Sequence, residues 1–320
     1  MSDVPPAGSA AVDPRDLSVV INSYNRRQLL ERALRSIYER VNPLPAEIIV
    51  IDDQSSDGSV EFIEGCIASG KYPGLNLVKT PAKLSFAAGV NLGIARSRAP
   101  YICLFETDNV ATDAGLWRGV AYLKKHPSVA GVGFQVTQLT GEPAGNSMAF
   151  PSMLGFVVGQ QITDLLRLER PATGPRRDVV FTSPLVVSRE AISRFGLMDA
   201  VEFPFCDSDI DWCRRIADAG FELHVLEDVS VVHDQGEHKS EFSRQRTLDF
   251  HRARLAYFKK YSPRAVPAIR AGLLARHCVE LAGLKLAELA GLVPGARVAV
   301  RLELLRRWPQ SYREMSGERA

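Results

Sequence analysis

LSVVINSYNRRQLLERALRSIYERVNPLPAEIIVIDDQSSDGS, residues 17–59, decides the fold. It opens on an apolar, β-branched run, LSVVI (17–21), that stops at NSYN. RRQLLERALRSIYER then places Leu29, Leu30, Ala33, Leu34 and Ile37 on one helical stripe, and EIIVID (47–52) is a second apolar run closing on DQSSDGS. Strand, helix, strand predicts a parallel α/β sheet. The alternation continues with SVEFIEGCIAS as a helix, LNLVKT (75–80) as a strand, SFAAGVNLGIARS as a helix and YICLF (101–105) as a fourth strand. Strands this uniformly apolar are covered by helices on both faces. In open α/β sheets a ligand sits beyond the carboxyl ends of the strands, which here are the polar stretches NSYN, DDQSSD and ETDN.

After residue 150 the pattern loosens. Residues 151–177 read as loop and helix, DVVFTSPLVVS (178–188) as a strand pair or one bent strand, and REAISRFGLMD as a short helix and turn. FELHVLED and VSVVHDQG read as two strands, and from about residue 241 the chain reads as helical, interrupted at Pro263, Pro267 and Pro294. Between these lies FPFCDSDIDWCRRIADAGF (203–221), with Asp207, Asp209 and Asp211 at alternate positions before an amphipathic run. Asp207 or Ser208 suits the N-cap and Gly220 the C′ position of a helix over 209–219. A calcium loop needs glycine at its sixth position, where this chain has Trp212, so that reading is rejected. Acidic residues also simply favour a helix N-terminus through its dipole.

Composition fits globular structure with a sizeable core: 320 residues, 46% hydrophobic and 24% charged. The five cysteines, Cys66, Cys103, Cys206, Cys213 and Cys278, are scattered and contain no CxxC pair, which argues against a disulfide scaffold or zinc site and suits a reducing cytoplasm. Residues 1–16 read as a flexible leader with neither a basic n-region nor an apolar h-region, and no run of 18 apolar residues occurs. Net charge is +2, yet residues 241–320 hold 16 Lys and Arg against 7 Asp and Glu, while residues 1–240 hold 23 against 30. A basic tail suits an anionic surface, or it is a solvated helical face.

Read together, VVINSYNRRQLLERALRSI, EIIVIDDQSSDGS, SFAAGVNLGIARS, YICLFETDN, FGLMD with FPFCDSDIDWCRRIADAGF, and VVHDQG resemble, in order and spacing, the inverting family 2 glycosyltransferases of GT-A fold, in particular their rhamnosyltransferase-like branch. The resemblance covers roughly residues 17–260. It implies a GT-A domain over 17–245, with a nucleotide-binding half (17–110) and an acceptor-binding half (111–245), followed by a helical region (246–320).

The same resemblance assigns roles. Ser23, Tyr24 and Asn25 meet the nucleotide, with Tyr24 flanking the base, and Asp52 accepts the imide N–H of uracil or thymine. The alternative, a turn-forming aspartate in DDQSSDG, suits Asp53 and Asp57 better than Asp52 at the strand's own end. Lys83 stands where the family usually has Asn-x-Gly and is within reach of a phosphate, and Asn91 matches the family block. In FETDN, Asp108 is the ligand of Mg or Mn, with Glu106 and Thr107 near the donor, and His233 is a second metal or phosphate contact. A lone histidine after a strand is, on its own merits, more often one satisfied by its neighbours. Asp209 becomes the general base, with Ser208 where relatives carry Glu, and Asp211 is left to orient the helix or bind Arg214 or Arg215.

The function implied is transfer of a hexose from a UDP- or dTDP-sugar to a saccharide or lipid-linked saccharide. The place is the cytoplasm, with peripheral contact at the inner membrane through the basic C-terminal helices. Packing on the domain or pairing with a second copy competes for those helices. Nucleic acid is not a partner, since the basic residues lack interleaved aromatics. The rivals are a catalytically inactive sugar-nucleotide or glycan-binding module, which the departures at Lys83, Glu106 and Ser208 favour, and a sugar-phosphate nucleotidyltransferase, which lacks its Gly-rich loop here.

Overall fold

The computed structural model describes residues 13–112, 115–159, 162–163, 174–234, 244–290 and 295–307. The chain divides into two compact units, Met1–Phe150 with Ala172–Lys239, and Pro151–Pro171 with Ser240–Ala320.

The first unit opens with β1 (Leu17–Ser23), α1 (Arg27–Arg40), β2 (Glu47–Asp52), α2 (Ser59–Ala68), β3 (Leu75–Lys79), α3 (Phe86–Arg96) and β4 (Tyr101–Leu104). The four strands pair in parallel in the order β3-β2-β1-β4. Leu17, Val19 and Ile21 have no exposed surface and Val20 has 2%, as a strand covered on both faces requires. Leu30, Ala33, Leu34 and Ile37 form the buried stripe of α1. α3 approaches β1 closely because Gly93 has no side chain: a Cβ there would lie 2.1 Å from Cγ1 of Val20.

Beyond β4 the sheet becomes mixed. The chain continues with β5 (Asn109–Ala111), α4 (Gly115–Lys125), β6 (Val129–Gln138), β7 (Pro143–Ala144), β8 (Ser147–Met148), β9 (Arg176–Arg177), β10 (Val179–Val180) and β11 (Leu185–Ser188), of which β8 and β10 pair with each other in a separate two-stranded sheet. After β11 come a helix over Arg189–Phe195, another over Ser208–Asp218, and β12 (Glu222–His233). β11 lies antiparallel between β4 and β6, β12 is parallel to β6, and β5 is antiparallel to β12. Two strands are expected over FELHVLED and VSVVH, and the structure has one. Its register against β6 shifts between Leu226 and Ser230. Glu227 and Asp228 in this bulge pair outward with Arg177 and Arg118, so the chain bulges without turning.

The second unit contains α5 (Met153–Val158), the helix Arg244–Tyr261, the long helix Val266–Leu289 and the helix Gly295–Arg307. Phe156 stacks on Phe258 at 5.8 Å, and Gly272 admits Val157, whose Cγ1 would lie 2.5 Å from an added Cβ. Pro267 is expected to interrupt the helical tail, but it occupies the first turn of Val266–Leu289, where its missing N–H costs no helical bond. Pro294 lies outside the described residues, as do most of residues 1–16 and the end of VSVVHDQG. Ile269, Leu273 and His277 face inward, whereas Val279, Leu286 and Leu289 are exposed. Glu280 joins Arg276 (2.8 Å) and Arg301 (2.7 Å). Burial would raise its carboxyl, but hydrogen bonds from His277 and Arg276 and the charge of Arg301 hold it at about 2. Among the described residues no helix is long and apolar enough to cross a membrane.

Candidate functional site

The carboxyl ends of β1, β2 and β4 and the start of α3 enclose a cleft of about 300 Å³. β1 supplies Asn22, Ser23 and, just past its end, Tyr24 and Arg26; the chain after β4 supplies Glu106, Thr107 and Asp108; Asp53 and Lys83 close one side and Phe205 another. The three polar strand ends thus converge, as the α/β reading requires.

Asp53 is fixed from beneath. Its Oδ1 accepts from the Leu84 amide at 2.7 Å and from Thr80 Oγ1 at 3.2 Å, and its Oδ2 lies 3.2 Å from Lys83 Nζ. The Lys83 ammonium also lies over the ring of Tyr24. Asp52, next in the chain, points away: it is 1% exposed, and its Oδ1 accepts from the Ser55 amide at 2.9 Å.

The opposite side is built by the antiparallel pairing of β5 and β12, which sets His233 against Asn109. That register brings His233 Nε2 within 3.2 Å of Asp108 Oδ2, and the Asp234 amide donates to the Asp108 carbonyl at 2.6 Å. The hydrogen bond to Asp108 is the first cause that raises the His233 pKa, against burial, which lowers it. Asp108 Oδ1 is buried and has no hydrogen-bond partner. A carboxylate with an orphaned oxygen beside an imidazole fits a divalent cation. Among the described residues no group of three or more ligating side chains occurs, so the remaining positions would fall to diphosphate oxygens and water, as is usual for Mg.

Glu106 sits between these groups. Burial first, then the negative charge of Asp108, raise its carboxyl to about 7; His233 lowers it, Asp209 raises it and Arg26 lowers it. Asp108, His233, Asp209 and Arg26, from four separate parts of the chain, are therefore all within electrostatic reach of Glu106. Asp209 stands in the first turn of that helix, half-buried, with its Oδ1 accepting from the Ile210 amide at 2.9 Å. The N-cap Asp207 has φ 58°, in the left-handed region, and makes no side-chain cap bond. Asp211 is fully buried and pairs with Arg215 at 3.0 Å, while Arg214 pairs with Asp218.

Of the residues that the sequence singles out, Ser23, Tyr24, Lys83, Glu106, Thr107 and Asp108 line the cleft, and His233 joins Asp108. Asn25 lines a neighbouring groove of about 1290 Å³ and accepts from the Ser56 amide at 2.8 Å, so it shapes the turn after β2. Asn91 is outside the cleft: its amide side chain donates to the Met198 carbonyl (2.8 Å) and accepts from the Met198 amide (2.9 Å). With the Ala87 amide donating to the Pro204 carbonyl at 3.1 Å, α3 grips both ends of the segment before Asp209. Arg26 and Phe205 go unnoticed in the sequence. Arg26 is exposed and lines both cavities, and Phe205 is 59% exposed. The exposed aromatic next to Asp207, Asp209 and Asp211 is the one signal that points to Phe205.

A model described as "Glycosyl transferase family 2" matches residues 18–173. Residues 18–173 belong to that family. This chain is 23% identical over 221 residues to glycosyltransferase AglE of Haloferax volcanii, covering 68% of this chain and 66% of that protein. An uncharacterized glycosyltransferase of Haemophilus influenzae is 26% identical over 121 residues, 37% of this chain and 35% of its own length. This chain thus spans about two thirds of the first relative and a third of the second. Among solved structures, mannosyltransferase PcManGT of Pyrobaculum calidifontis, in complex with GDP-Man and Mn2+, matches with TM-score 0.56 and 17% identity over 98% of this chain and 91% of its own. TarS 1–349 of S. aureus, in complex with UDP-GlcNAc, matches with TM-score 0.52 and 14% identity over 93% and 92%. These likenesses show the GT-A fold, with its helical C-terminal region.

Proposed function

We propose that the family 2 domain is an inverting glycosyltransferase that moves a sugar from a nucleoside diphosphate donor to a hydroxyl of a saccharide or lipid-linked saccharide. The observation that carries this reading is the convergence of Asp108, His233 and Asp209 on Glu106. The acceptor hydroxyl gives its proton to the Asp209 carboxylate as its oxygen attacks the anomeric carbon. The bond from that carbon to the diphosphate oxygen breaks on the opposite face, and the electron pair leaves with the nucleoside diphosphate. A single in-line displacement inverts the carbon. Asp209 needs no raised pKa, because proton loss accompanies C–O bond formation and an ionised carboxylate in position suffices.

Asp108 and His233 would hold Mg or Mn, which would supply positive charge against the departing diphosphate. Arg26, exposed at the mouth, adds a fixed positive charge on the same side. Glu106 and Thr107 meet the donor ribose, Ser23 and Tyr24 the base, and Asp53 takes the N–H-accepting role that the sequence gives to Asp52, because Asp53 is the carboxylate in the cleft. The donors UDP-GlcNAc and GDP-Man, bound by two of the structural neighbours, favour a nucleotide-sugar here as well. Exposed Val279, Leu286 and Leu289, in a region with 16 basic residues, support peripheral contact with an anionic membrane.

The test is a panel of UDP-, dTDP- and GDP-sugars, assayed for nucleoside diphosphate release with Mg or Mn and with EDTA. Release that requires metal and is lost in Asp209→Asn, with donor binding retained, is expected. Donor binding without turnover in the unmodified chain, under every metal, would make it a binding module.

A further inference from the structure

β5 is the last strand in the order of the sheet, and β12 pairs with only one of its edges. α1 closes the other edge with side chains one helical turn apart. Ser36 Oγ accepts from the Ala111 amide at 2.9 Å, and Arg40 donates to the Ala111 carbonyl at 3.0 Å. Arg32, one turn before Ser36, pairs with Asp234, the residue after His233. Arg32, Ser36 and Arg40 thus form a polar line along the chain that follows Asp108. Asp234 lies past the last paired residue of β12, since the ladders to β5 and β6 both end at His233. Its amide nevertheless donates to the Asp108 carbonyl at 2.6 Å, while His233 Nε2 meets the Asp108 carboxylate at 3.2 Å. The Asp234 side chain is 3% exposed, a depth at which a carboxylate needs a counter-charge, and the half-exposed Arg32 brings one in from the surface.

Resting on the metal reading above, we propose that Arg32 is a positioning residue for the cation. By holding the Asp234 carboxylate it keeps the Asp234 amide on Asp108 and, through the adjoining backbone, keeps the His233 ring in place. Arg32 lines the neighbouring groove and not the cleft, so its effect passes through Asp234. A carboxylate released at that depth turns toward solvent and draws its amide away from Asp108. Both ligating side chains then lose their common support, and partners that orient ligands in this way change metal affinity by about 10- to 100-fold.

The experiment measures binding of Mn to the full chain, read from the loss of the EPR signal of free Mn, beside nucleoside diphosphate release as a function of Mn concentration. Arg32→Met should weaken Mn binding by about tenfold or more, raise the Mn needed for half-maximal release equally, and leave turnover at saturating Mn within about threefold. The same change made together with Asp234→Asn should weaken binding by no more than about threefold relative to Asp234→Asn alone, because no buried charge is then left to hold. Arg32→Lys should keep most of the affinity, and Arg32→Gln serves should the Met variant melt early. Arg35→Met, which loses only an exposed pair with Glu31 on the same helix, is the control and should not change Mn binding. A lower Tm with unchanged Mn affinity would make the pair a structural tie and overturn the assignment. Tighter Mn binding in Arg32→Met would also overturn it, by making the released Asp234 a ligand. If Mn neither binds the unmodified chain nor affects release, the metal reading falls and takes this one with it; an Mn effect that Arg32→Met leaves intact sinks this one alone.

Discussion

His233 Nε2 lies 3.2 Å from Asp108 Oδ2, and the contact is made by strand register: β12 and β5 pair so that His233 faces Asn109, one residue past Asp108. The two side chains are thus held as a unit by backbone hydrogen bonds of the sheet.

Removing either half of that unit should uncouple the enzyme from its cation. Asp108→Asn is expected to lower turnover by at least about 10²-fold and His233→Ala by about 10- to 100-fold. Diphosphate release measured against Mn concentration should show the His233 variant partly rescued at high Mn. Full activity of Asp108→Asn in EDTA would remove the metal from the reading.

Asp209→Asn keeps the size and the helix start but cannot take a proton. Turnover should fall by about 10²- to 10⁴-fold with the donor KM little changed. A rise in donor KM with unchanged turnover would place Asp209 in donor binding.

Two glycines give opposite stability predictions. Gly93→Ala puts a methyl 2.1 Å from Val20 Cγ1 in the buried sheet, and overpacking there should cost about 1–3 kcal/mol, lowering Tm. Gly65 lies on an exposed turn of α2 with nothing within 4 Å of an added Cβ, so Gly65→Ala should stabilise by up to about 1 kcal/mol. Calorimetric melting of the two variants beside the unmodified chain checks both.

The second unit should lose stability in mild acid. Burial first, opposed by the hydrogen bond to the Thr247 carbonyl and aided by the charges of His277, Arg301 and Arg276, brings His251 down to about 4. The folded state therefore favours neutral imidazole. The contribution is complete above the unfolded pKa of about 6.5 and is lost as pH falls toward 4, by about 3 kcal/mol at most. Urea unfolding followed from pH 4 to 7.5 should show stability rising with pH, and His251→Leu should flatten that rise.

Parallel strands and amphipathic helices are legible in this sequence because burial on both faces, or on one stripe, leaves a local pattern: Val19, Val20 and Ile21, or Leu30, Leu34 and Ile37, declare themselves within a few residues. The single long β12 is not legible, because a bulge with outward acidic residues looks locally like a turn. In the site, the polar ends of strands mark its place, and Asp108 with His233 can be named from the resemblance. That Asp53 and not Asp52 lines the cleft cannot be read, since two adjacent aspartates differ here in the direction each side chain takes at the end of a strand. Arg26 has no local signature either, because its meaning comes from what β4 and β12 bring beside it.

The grip of α3 on Met198 and Pro204, through Asn91 and Ala87, gives the stretch between those anchors a separate status. Its ends are fixed by the scaffold, Phe203 within it is buried, and Val201 is 92% exposed. On the role proposed for Asp209, substitutions at the exposed Val201 and Glu202 of that arc would change what an acceptor meets there and leave the buried Phe203 in place.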